Sequence, residues 1–124
     1  MREDTIVAIA TPPGQGGIGV IRISGPKAET ILHTVFTPAG GWTAVPESHR
    51  MMYGHLMDEE ETVDECMAVL MRAPRSYTRE DVAEIQTHGS AAVLQKGMEL
   101  CMAAGARLAD PGEVTRRLRR TIKY

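Results

Sequence analysis

Asparagine is absent from the 124 residues, so no N-glycosylation sequon can occur. Aromatic residues make up only 4%, with one Trp and one Phe. The core must therefore be built from aliphatic side chains and from the eight methionines. The two cysteines, Cys66 and Cys101, cannot make a disulfide framework and stand too far apart in sequence for a paired-thiolate zinc clasp. The apolar run at residues 5–10 follows acidic Met-Arg-Glu-Asp and has six members, far short of a signal peptide or membrane span. A cytoplasmic address is the expectation.

What is present is an ordinary globular balance of 43% hydrophobic and 24% charged residues, one domain in length. The net charge of −2 conceals an asymmetry. Residues 1–115 hold all 16 acids against 9 of the 14 Lys and Arg, a formal −7. The last nine residues carry Arg116, Arg117, Arg119, Arg120 and Lys123, a formal +5. So acidic a body argues against a self-sufficient nucleic-acid binder.

Period-two patterns predict strands at 5–10 and 18–24, joined by the loop TPPGQGG. Ala28, Ile31, Leu32, Val35 and Phe36 then fall on one helical stripe, predicting a helix over 26–36 with Pro26 at its first position. Residues 37–47 read as a loop from their Pro and Gly content. Strands are predicted at about 49–57 and 62–71 around an acidic hairpin tip, Asp58–Glu61, and again at 81–87. A helix over about 90–104 carries Val93, Gly97, Leu100 and Ala104 on one line, with Leu94, Met98 and Cys101 beside it, and Gly105 ends it. After a short stretch at Arg107–Ala109, Asp110-Pro111-Gly112-Glu113 reads as a cap, a Pro at N1 and a Glu at N3 opening a last helix. The order β-β-α-β-β-β-α-(β)-α is an α+β domain: a small mixed β-sheet with about three helices.

Gly14-Gln15-Gly16-Gly17-Ile18-Gly19 spells G-x-G-x-x-G after a strand. A dinucleotide site needs a helix to open at that loop, whereas Val20-Ile21-Arg22-Ile23 alternates as a strand. No acid follows between Glu29 and Glu47, and no Lys-Ser/Thr follows Gly19, so the Rossmann and P-loop readings both fail.

The chemistry-bearing candidates are two charges inside strands. Alternation puts Arg22 on one face with Ile18, Val20 and Ser24, and Glu84 on one face with Val82 and Gln86. A guanidinium in a sheet is costly unless paired or bound to something. Two readings stand open from the residues alone, an internal ion pair or a ligand site.

Three blocks, DTIVAIATPPGQGGIGVIRISG at 4–25, SYTREDVAEIQTHGS at 76–90 and ADPGEVTRR at 109–117, resemble the N-terminal domain of the tRNA modification GTPase family called MnmE or TrmE. The resemblance covers nearly the whole chain. It implies a fold like the tetrahydrofolate-binding domain of the glycine cleavage T-protein. It also implies binding of a reduced folate (5-formyl- or 5,10-methylene-tetrahydrofolate) and pairing with a second copy as a homodimer. The longer family member adds a helical domain with an inserted GTPase domain that uses GTP, K+ and Mg2+. With the flavoprotein MnmG it modifies carbon 5 of a tRNA wobble uridine, the methylene carbon coming from folate.

By position, the resemblance places folate contacts on Arg22, Glu84 and Lys123, and the chain is read as non-catalytic; His33, His49 and His55 have no metal-ligand spacing with Cys66 or Cys101, so no metal is expected. A carboxylate such as Glu84 can accept the adjacent N–H and amino groups of a pterin edge. Arg22 offers a planar fork to pterin acceptors or a tail carboxylate. Around Lys123 the family's Ala-Phe-Leu-Asn-Gly-Lys is replaced by Leu118-Arg119-Arg120-Thr121-Ile122-Lys123, so a solvated basic helix end is the competing reading there. The domain is expected over 1–117, with 118–124 the truncated or altered start of a following helical region. Two alternatives stand beside this reading, a pure dimerisation scaffold without folate binding and a tRNA-binding module that uses the basic end. His88 reads as a turn or packing residue, Tyr77 as a loop aromatic that could flank the pterin, and Cys101 as core.

Overall fold

The computed structural model describes residues 4–10, 17–43, 46–76, 78 and 80–121, residues 118–121 in backbone only. The strands are β1 (Ile6–Ile9), β2 (Ile18–Ser24), β3 (Phe36–Pro38), β4 (Met52–Asp58), β5 (Glu61–Met71), β6 (Val82–His88) and β7 (Arg107–Leu108). The helices are α1 (Ala28–Val35), α2 (Ala91–Ala103) and α3 (Glu113–Thr121). The seven strands form one mixed sheet in the order β3-β4-β5-β6-β2-β1-β7, with β7 parallel to β1 and every other pair antiparallel. The fold class is α+β, as expected.

Helices α1 and α2 cover one face. The alternation read in β2 sends Ile21 and Ile23 into this layer, where they are fully buried with Val7, Ala68, Leu70, Ala83 and Ile85 against Ile31, Leu32, Met98 and Cys101. Burial pushes both the Cys66 and the Cys101 thiols up to about 12, so each behaves as a small apolar group. The stop of α2 follows from Gly105 at φ 121. Ala106 N–H donates to the Cys101 carbonyl (3.0 Å) and Gly105 N–H to that of Met102 (3.1 Å), a Schellman closure.

Two local expectations are corrected. Pro26 is not the first residue of a helix; it lies in a turn, and α1 begins at Ala28 after Lys27, whose N–H donates to the Thr5 hydroxyl (2.8 Å). The segment 37–47 is not wholly loop, because Phe36, Thr37 and Pro38 pair with Leu56, His55 and Gly54. A proline there is tolerated since β3 is an edge strand with no outer neighbour to receive an N–H. Phe36, read as the last member of the helical stripe, is extended (φ −128, ψ 135) and buried all the same. At the other turn, Glu113 Oε1 accepts from the Asp110 N–H (2.9 Å), the glutamate half of the expected capping box.

The opposite face is open over its middle. Val20, Arg22, Glu84, Gln86 and Met67 are half-buried there, and Ile18 and Tyr53 are exposed.

Candidate functional site

Strands β2 and β6 are neighbours at the centre of the sheet, and their register sets Arg22 directly opposite Glu84. The two charges read from separate strands thus become one cross-strand pair. Arg22 Nε (2.7 Å) and Nη2 (2.6 Å) both donate to a single oxygen, Glu84 Oε2. With side chains 21% and 16% exposed, the pair is sunk in the sheet yet reachable from the open face. A carboxylate offers about four acceptor sites. Glu84 Oε1 carries no hydrogen bond among the described residues, so the acid keeps capacity for donors arriving from solution.

The pair divides two depressions. One, of about 490 Å³, has Arg22 in its wall with Ala8, Ala10 and the turn Pro111-Gly112. The other, of about 630 Å³, is lined by Glu84 and Gln86 of β6 and by Val69 and Met71 of β5. Both volumes lie in the range of small-molecule sites.

The end of the open face beside Ser24 is closed by a polar cluster that sequence reasoning missed. Arg117, counted with the basic end, is 2% exposed. Its Nη1 donates to Glu80 Oε2 (2.7 Å) and to the carbonyls of Asp4 (2.8 Å) and Ser24 (3.3 Å). Its Nη2 donates to Asp4 Oδ1 (3.1 Å) and Glu113 Oε2 (3.4 Å). Ser24 Oγ donates to the same Glu80 oxygen (2.7 Å). One buried arginine so ties α3, the start of β1, the end of β2 and the segment before β6. The available signal was Glu113 and Arg117 at i,i+4, one turn apart in the last helix.

Arg107 adds a second layer, donating to Asp4 and to both oxygens of Glu113. Its guanidinium, ahead of the opposing effect of burial, holds the Asp4 and Glu113 carboxyls down at about 2. Both folded values lie below the unfolded ones near 4. The stability they confer is full above about pH 5 and is lost as pH falls toward 2. Thermal melts between pH 7 and pH 2.5 are expected to show that loss, and Glu113→Gln is expected to flatten it.

His88 is better held than a turn residue needs to be: its backbone N–H and Nδ1 bond the two oxygens of Asp64 (2.9 and 2.7 Å). Tyr77 and Lys123 lie outside the described residues. Among the described residues no group of three or more His, Cys, Asp or Glu is arranged to hold a metal ion, and no helix is long and apolar enough to cross a membrane.

A family model described as the GTP-binding protein TrmE N-terminus matches residues 5–119. The tRNA modification GTPase MnmE of Geobacter sulfurreducens is 56% identical over 117 residues, covering 93% of this chain and 25% of that relative. The proteins of the same name from Chloroflexus aurantiacus and Streptococcus mutans are 53% and 50% identical over 116 and 114 residues, again across a quarter of their length. The chain spans about a quarter of the curated relatives it matches. With its match running from the first strand into the last helix, it belongs to the TrmE N-terminal family, the N-terminal domain of the tRNA modification GTPases MnmE.

Proposed function

We propose that this domain binds a reduced folate, 5-formyl- or 5,10-methylene-tetrahydrofolate, through Arg22 and Glu84. The observation that carries the reading is the cross-strand pair itself, a half-buried carboxylate in the wall of a depression of ligand size whose bonds to Arg22 all fall on one oxygen. Glu84 accepts the paired N–H donors of the pterin edge, and Arg22 holds the carboxylate in place while offering its own donors to pterin oxygen. Lys123 is a third contact in this reading. When bound, the folate supplies a one-carbon unit; the residues of this chain hold and orient it and carry no catalytic group. In the longer protein that unit becomes the methylene carbon of a carboxymethylaminomethyl group on the tRNA wobble uridine. The partner there is the flavoprotein MnmG, and GTP, K+ and Mg2+ act in a separate domain, in the cytoplasm.

The domain also pairs with a second copy of itself. The exposed Ile18 and Tyr53 on the open face support this, being apolar surface of the kind association removes from water. A scaffold reading, in which Arg22–Glu84 is purely structural, is favoured by the closeness of the ion pair. Calorimetry with 5-formyltetrahydrofolate separates the two. Saturable binding is expected in the unaltered chain. Glu84→Ala and Arg22→Ala should each weaken it at least tenfold, about the worth of one charged hydrogen bond. Dimerisation without any folate heat would leave only the scaffold.

A further inference from the structure

The depression below Glu84 is polarised along its length. Its lining holds the Glu84 carboxylate and the Gln86 amide, two residues apart on β6; Val69, opposite Glu84, with Met51 and Met71; and Arg75 and His49, the arginine four residues past the end of β5 at Met71 and the histidine with its N–H on the Leu70 carbonyl. Arg75 differs from its fellows. The side chains of Arg22, Arg50, Arg72, Arg107 and Arg117 are in ion pairs, and that of Arg116 donates to the Pro111 carbonyl (3.2 Å). Arg75 is exposed and has no side-chain partner among the described residues.

The segment carrying it is nonetheless fixed. Ala73 N–H donates to Asp81 Oδ1 (2.8 Å), Arg75 N–H to the Arg72 carbonyl (3.1 Å), and Ser76 Oγ to the Glu80 carbonyl. His49 is held in a left-handed conformation (φ 68), with its N–H on the Leu70 carbonyl (2.7 Å) and its Nδ1 on Ser48 Oγ (2.8 Å). A histidine kept at positive φ costs free energy that the surroundings must offset, and such residues concentrate where a side chain has to be aimed. The nearby acids are engaged elsewhere, Glu80 with Arg117 and Asp81 with the Ala73 amide.

An acceptor end, an apolar middle and a cationic end match a ligand with hydrogen-bond donors on a ring at one end and carboxylates at the other. We propose that Arg75, assisted by His49, receives the carboxylate tail of the folate whose ring edge is held at Glu84. The inference rests on the folate reading above and names a subsite within it. It makes Arg75 a specificity residue: each tail carboxylate within its reach adds a charge-assisted contact, so a longer glutamate tail binds more tightly.

The test is titration calorimetry of the full chain with 5-formyltetrahydrofolate as the monoglutamate and as the triglutamate. The unaltered chain is expected to favour the triglutamate about tenfold. Arg75→Glu removes that preference, and Arg75→Ala reduces it. Glu84→Gln weakens both ligands by the same factor and leaves the ratio unchanged. Equal affinity for the two ligands in the unaltered chain, or a preserved ratio in Arg75→Glu, overturns the tail subsite while leaving folate binding in place. No binding of either ligand overturns the folate reading itself, and the subsite with it.

Discussion

Replacing Arg117 by alanine is expected to destabilise the domain by about 3 kcal/mol, the lower end of the range for removing one partner of a buried ion pair. The loss has two sources. Glu80, Asp4 and Glu113 would face one another with their shared cation gone, and the carbonyls of Asp4 and Ser24 would lose a buried donor. Glu80 and Asp4 are partly solvated, at 24% and 53% exposure, and this keeps the figure at the low end. Urea unfolding should show a lower midpoint at unchanged slope. Arg117→Lys should recover only part of the loss, because an ammonium cannot span carboxylates on three separate segments as a guanidinium fork does. A change under 1 kcal/mol for the alanine variant would mean that water already satisfies the cluster.

Gly25→Ala is expected to cost a comparable amount, about 3 kcal/mol, for a steric reason. Gly25 sits at φ 140, where an L side chain is strained, and an added Cβ would lie 2.5 Å from the Thr5 Cα. That neighbour is backbone and cannot turn aside. Thr5 itself is buried and receives the Lys27 N–H, while the Gly25 N–H donates to the Asp81 carbonyl (2.9 Å). Relief of the clash would therefore disturb the end of β2, the entry to α1 and the segment before β6 together. A melting temperature lower by roughly 10 °C is expected for a domain of this size. Gly40→Ala, where a Cβ meets nothing within 4 Å, serves as the control and should leave the melt unchanged.

Both effects arise where chain segments far apart in sequence meet, and this is where the sequence was least legible. The faces of β2 and β6 could be read, because a period of two is a local property and Ile21, Ile23 and Ile85 obey it. Arg22 and Glu84 could be singled out as charges within strands. That they stand opposite one another could not be read, since it depends on the sheet order placing β6 beside β2. Arg117 was hidden more completely: among five basic residues in nine, nothing local distinguishes the buried one. Its partners Asp4 and Glu80 lie 113 and 37 residues away. The three residues of β3 were missed because a run that short, ending in proline, carries no periodicity of its own. Arg75 has no local signal either, since its place in the wall of a depression depends on β5 and β6 lying side by side.

The antiparallel pairing of β2 with β6 has a further consequence, in time rather than space. The hairpin of β4 and β5 closes over the two-residue turn Glu59-Glu60 and can form from local contacts alone. The strand bearing Arg22 has β1 close by on one edge, but its other edge must wait for a partner 62 residues downstream, across a loop whose closure is entropically costly. During synthesis β2 is made early and stays without its central neighbour until residue 88 has emerged. Through that interval one edge of an apolar strand is available to any passing strand, and chaperone engagement would be at its most useful there. The pair at the heart of the site is thus a late product of folding, and its formation reports that the sheet has been threaded in the right order.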